Sequence, residues 1–117
     1  MIQHIDGVGM GQVNLMKAAD NSYNVVCVDE NTGAPIDLTT GSASLEVYSD
    51  ENKGGTLTSL TGTLGTVAGG HFTIAVADDE AVISDYAVGT KLYAYAKATE
   101  SGGTVHIADN PIILKVV

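Results

Sequence analysis

Lys91-Leu92-Tyr93-Ala94-Tyr95-Ala96-Lys97-Ala98 is an unbroken two-residue alternation. Successive side chains of a strand point to opposite faces, so Leu92, Ala94 and Ala96 form one row and Tyr93, Tyr95 and Lys97 the other. Only the small, aliphatic row suits a core. The same parity sends Ala43, Leu45 and Val47 inward in the run Ala43 to Tyr48, and Phe72, Ile74 and Val76 inward in His71 to Val76. By this rule Val105 and Ile107 are expected to face the core, leaving His71 and His106 on outward faces.

Outward from this stretch, short apolar runs recur about every eight to twelve positions, the spacing of a sandwich or barrel. Eight strands are predicted: Gln12 to Lys17, Tyr23 to Val28, Ala43 to Tyr48, Thr56 to Leu60, His71 to Val76, Lys91 to Ala98, Thr104 to Ala108 and Ile112 to Val116. Turn chemistry separates them, as in Asn31-Thr32-Gly33, Ser101-Gly102-Gly103 and Asp109-Asn110-Pro111. The exception is Asp78-Asp79-Glu80-Ala81-Val82-Ile83-Ser84-Asp85, where acids precede apolar residues as at the start of a short helix. The predicted class is all-β, with one helical turn bridging two sheets.

The 117 residues suffice for one domain with its own core. That core is expected to be aliphatic and thin, since the chain has one Phe and no Trp. Fourteen Asp and Glu against five Lys give a net charge of -9, which repels nucleic acid and anionic membranes alike. Cys27 is the sole cysteine, so no intrachain disulfide forms. The first residues, Met1 to Leu15, have no Lys or Arg ahead of the apolar ones and repeated Gly, unlike a signal peptide or a spanning helix.

No motif carries catalysis. Gly7-Val8-Gly9-Met10-Gly11 lacks the flanking strand, helix and Lys of a phosphate loop. Asp29-Glu30-Asn31-Thr32-Gly33 and Asp50-Glu51-Asn52-Lys53-Gly54 begin like calcium loops, but the twelfth positions are Thr40 and Thr61, so both are assigned to turns and no metal is expected. His4, His71 and His106 are too scattered for a zinc site. Ser84 sits in no nucleophile elbow. The expectation is a non-enzymatic protein without cofactor.

Two features suggest contact with a partner instead. Residues 1–12 are expected to form a flexible arm ahead of a sandwich over 13–117. Ile2, Ile5, Val8 and Met10 are too apolar for a solvated tail, while Gly7, Gly9 and Gly11 make regular structure costly. The second is Tyr93 and Tyr95, two residues apart on an outward face.

In Gly33-Ala34-Pro35-Ile36-Asp37-Leu38-Thr39, Gly33 closes a turn, Pro35 fixes an extended segment, Asp37 accepts amides across the bend and Leu38 drops into the core. This run resembles the G-x-P-x-D-L-T pattern of immunoglobulin-like domains in tailed-phage virion proteins, including the N-terminal domain of baseplate upper proteins. The order that follows is also similar: an alternating strand, a Gly-Gly-x-Phe-x-Ile strand over Gly69 to Ile74, a helical turn and a Tyr-x-Tyr strand. The resemblance spans residues 23–117.

It implies an immunoglobulin-like antiparallel β-sandwich of about seven to eight strands. It also implies a structural role in a bacteriophage virion. Baseplate proteins carry such a domain ahead of a longer chain, whereas this one is expected to be complete as one acidic, cysteine-poor domain. In that it is similar to a capsid decoration, or cement, protein, which would be made in the host cytoplasm and bind the major capsid protein or another virion protein on the head surface, with self-association as a further option. A baseplate or tail adaptor, and a bacterial surface immunoglobulin-like carbohydrate-binding module, are the alternatives. No binding residue transfers with the resemblance.

Overall fold

The structure, a computed structural model, describes residues 1–5, 11–17, 19–53, 55–77 and 79–117. Its strands are β1 (Ile2–Ile5), β2 (Gln12–Leu15), β3 (Asn21–Val28), β4 (Ser42–Tyr48), β5 (Thr56–Thr61), β6 (Thr63–Leu64), β7 (His71–Val76), β8 (Lys91–Thr99), β9 (Val105–Ile107) and β10 (Ile112–Val116). A 3-10 turn (Val67–Gly69) precedes β7, and α1 (Ala81–Ser84) joins β7 to β8. All eight expected strands are present; His71–Val76 and Ile112–Val116 match at both ends, and the other six differ by one or two residues at one end or both. Ile2–Ile5 and Thr63–Leu64 are additional.

One sheet has the order β1-β3-β7-β6 and the other β2-β10-β8-β4-β5. β9 and β10 share one edge of β8, with β10 along Lys91 to Ala94 and β9 along Lys97 to Thr99. In immunoglobulin lettering the first sheet is A-B-E-D, and β10, β8 and β4 are G, F and C. The fold is thus an immunoglobulin-like sandwich. One pair departs from the expected antiparallel pattern: β2 runs parallel to β10. The N-terminal segment is divided between the sheets, and β2 lies beside the last strand in the same direction.

The core lies between the sheets. Leu15, Val25, Cys27, Val47, Phe72, Ile74, Leu92, Ala94, Ala96 and Leu114 are all almost fully buried. It is aliphatic around a single Phe, as the composition requires. Val82 and Ile83 of α1 are also buried, and Lys17 Nζ donates to the Ile83 and Tyr86 carbonyls at 3.1 and 2.6 Å, capping the end of the turn with a cation. Ile36 and Leu38 reach the core from the loop after β3, and Pro35 bridges to Val28. Gly70 makes the turn into β7 at φ 71°, where a Cβ would lie 2.4 Å from the Cys27 carbonyl.

Two expectations are corrected. The arm proposed over residues 1–12 is tied down at both described ends. Ile2 to Ile5 pair with Val28 to Val25, and Gln12 pairs with Ile113. The physical reason is Gln3, only 1% exposed, which hydrogen-bonds across the sandwich and anchors β1. Residues 6–10, including Val8 and Met10, lie outside the described residues. The second correction is the parity of β9. Its register sets Ile107 opposite Lys97 and Val105 opposite Thr99, on the outward row of β8. Val105 and Ile107 are accordingly exposed, and His106 turns toward the interior side.

Candidate functional site

β8 is the middle strand of the larger sheet, and its outward row is Lys91, Tyr93, Tyr95, Lys97 and Thr99. Pairing registers extend that row into a face. Lys115 stands opposite Lys91, Ile113 and Tyr48 flank Tyr93, Glu46 faces Tyr95, and Ser44 and Ile107 flank Lys97. On β5, Ser59 and Thr61 continue the face beside Glu46 and Ser44.

Tyr95, expected as an exposed contact residue, is buried at 4% exposure. The turn after β4 folds over it: its hydroxyl donates to the Glu51 carbonyl at 2.9 Å, and Lys53 Nζ lies 4.3 Å from its ring centroid. Tyr48 meets it edge-on at 5.6 Å and 83°. Burial, and then Glu51, Tyr48 and Asp50, raise its hydroxyl pKa above the ordinary tyrosine value. Lys53 holds its place through a left-handed backbone, φ 58°, a conformation uncommon outside glycine. Tyr95 therefore supports the face from beneath. Tyr93 is partly exposed and remains on it.

Four of the five basic residues, Lys53, Lys91, Lys97 and Lys115, lie on or against this sheet. The fifth, Lys17, caps α1. Glu46 is the acid among the outward strand positions, and it already accepts from Ser59 at 3.3 Å. Among the described residues no carboxylate forms a salt bridge with any of the four lysines. Lys91 and Lys115 face each other across the strand pair, where like charges destabilise a sheet. Beside Lys97 runs a shallow polar groove of about 330 Å³ lined by Ser44, Glu46, Ser59, Thr61 and Thr99.

The other candidates resolve differently. Asp29 Oδ1 accepts the Asn31 amide at 2.8 Å, and Asp50 Oδ1 accepts that of Asn52 at 2.9 Å, so both Asp-x-Asn-x-Gly segments use their first acid for turn geometry. Among the described residues no three His, Cys, Asp or Glu group as metal ligands. His71 Nδ1 sits 3.3 Å from Asn24 Nδ2, while His106 Nε2 lies 3.6 Å from Glu100 with no hydrogen bond. Ile2 and Ile5 occupy β1, paired with Val28 and Val25.

The alternation already placed Lys97 with the tyrosines. What it missed was the lysine set, because Lys115 and Lys53 join only through strand register and turn path. The arrangement can bind carboxylates by charge and hydrogen bonds. No protein-family model matches the chain, and a comparison with curated proteins finds no match either.

Proposed function

We infer that this chain is a non-enzymatic structural module that docks through the lysine face of its larger sheet onto an acidic surface of another protein. The observation that carries the reading is the segregation of charge. A chain of net charge -9 concentrates four of its five lysines on one sheet, with two of them in direct opposition. Electrostatic complementarity of this kind sets partner choice and docking orientation more than raw affinity. A partner's carboxylates would relieve the Lys91–Lys115 repulsion that the free protein carries.

The G-x-P-x-D-L-T resemblance supports a tailed-phage virion as the assembly, and the head surface as the place, in the role of a decoration protein. The test is co-sedimentation with assembled, undecorated heads, comparing the native chain with a Lys91→Glu, Lys97→Glu, Lys115→Glu variant. Binding by the native chain and its loss in the variant is the expected result. Equal binding by a folded variant would exclude the lysine face.

A further inference from the structure

We propose that the open edge of β9 takes up an extended, lysine-bearing segment of a partner protein by strand addition, at the rim of the sheet beyond Lys97. Among the described residues β9 pairs with β8 alone, along one side. The Glu100 amide donates to the Thr104 carbonyl at 2.9 Å, and the Ala108 amide donates to the Ala96 carbonyl at 3.0 Å. Antiparallel ladders alternate, so with residues 104 and 108 bonded toward β8, the N–H and C=O of Val105 and Ile107 point away from it. Among the described residues no backbone hydrogen bond reaches them from the far side. Two positions on, the Asp109 amide donates to the Met1 carbonyl at 3.3 Å, so this outer ladder is begun at Asp109 and left open at Ile107 and Val105.

Edge strands are usually blunted by charge, proline or a bulge. Here the two open positions carry Val105 and Ile107, 50% and 47% exposed. Alongside lies a cleft of about 300 Å³ lined by Met1, Asp29, Glu30, His106 and these two residues. Strand addition draws affinity from such main-chain groups and specificity from alternate side chains.

Charge selects the occupant. Asp29 and Glu30 line the cleft, while Asp109 and Glu100 lie 3.5 and 3.6 Å from its lining residues Met1 and His106. The amino nitrogen of Met1 lies 3.4 Å from Glu30 and 3.5 Å from Asp109, so one cation stands among four acids and negative charge remains in excess. Pairing with β9 of a second copy would bring the same acids together and is disfavoured. An added strand that alternates β-branched residues, packed on Val105 and Ile107, with lysines directed at the acids satisfies both halves of the site.

The experiment uses the full chain with short blocked peptides, one alternating lysine with valine and one alternating glutamate with valine. Amide chemical shifts and exchange rates are followed by NMR. The lysine peptide is expected to shift and protect the Val105 and Ile107 amides, and the glutamate peptide to do neither. Val105→Pro removes an outward N–H without touching the β8 ladder, and about a tenfold loss of affinity is expected. Glu30→Lys, on the loop across the cleft, should weaken binding similarly and serves if the proline variant does not fold. The proposal is overturned if both peptides act alike, if the shifts fall on Lys91, Tyr93 and Lys115 and spare Val105 and Ile107, if a folded Val105→Pro or Glu30→Lys binds as well as the native chain, or if the edge amides respond to protein concentration without peptide.

Discussion

The side-chain amide of Gln3 completes the hydrogen-bond ladder of β8 at Ala96. Its Oε1 accepts the Ala96 amide at 2.7 Å, and its Nε2 donates to the carbonyls of Ala94 at 2.9 Å and Asn110 at 2.8 Å. These groups lie where β9 gives way to β10 at Asp109-Asn110-Pro111, so the Ala96 carbonyl still accepts the Ala108 amide at 3.0 Å while the Ala96 amide has only the Gln3 side chain to donate to. A side chain from the opposite sheet stands in for the missing peptide group.

Replacing that amide is expected to be costly. Gln3→Leu keeps the volume but leaves the buried Ala96 amide without an acceptor, a loss of about 2 kcal/mol, or roughly 8 °C in Tm. Urea unfolding should show a lower midpoint with an unchanged slope. A loss below about 0.5 kcal/mol would mean that the ladder break tolerates an open amide.

Lys115 should trade stability against docking. Lys115→Glu turns the repulsion with Lys91 into attraction and is expected to stabilise the free protein by about 0.5 kcal/mol. The gain should fade at about 1 M salt, where exposed charges are screened. Thermal melts at low and high salt decide this, and a salt-independent gain would point to packing instead.

Cys27 is expected to be inert in the folded protein. It is fully buried, and burial pushes its thiol from 9.0 up to about 12 against a smaller opposing effect of the Met1 amino group. Alkylation should therefore follow unfolding, and fast labelling at neutral pH would refute the burial. Above about pH 9 the unfolded thiol loses a proton that the folded one keeps, so this group's contribution to stability declines as pH rises toward the folded value. The margin of the native chain over Cys27→Ala should shrink across that window.

Asp37 acts in the opposite direction. The Thr39 hydroxyl, at 2.6 Å, and then the Thr39 amide, at 2.9 Å, hold its carboxyl below the ordinary 3.8. Its contribution is full above that ordinary value and lost as pH falls through the lower folded one. Thr39→Val should raise the Asp37 midpoint in an NMR titration. Because Asp37 is exposed, Asp37→Ala should lower Tm slightly at neutral pH, with the difference from the native chain vanishing in strong acid.

Much of the fold was legible because strand parity is a local property. Leu92, Ala94 and Ala96, like Phe72, Ile74 and Val76, face inward wherever their strands sit, and Gly33, Pro35, Asp37 and Leu38 act through their own backbone neighbourhood. Sequence alone thus determined the all-β class, the eight main strands and an acidic chain with few cations. It did not determine which row of β9 faces out, because a three-residue strand takes its facing from its register with β8. Nor did it show that Tyr95 lies beneath Glu51 and Lys53, or that Lys91 meets Lys115. The placing of Gln3 was beyond it as well: an amide is buried only where another segment leaves a donor and acceptors unmet, and that gap forms when distant strands come together.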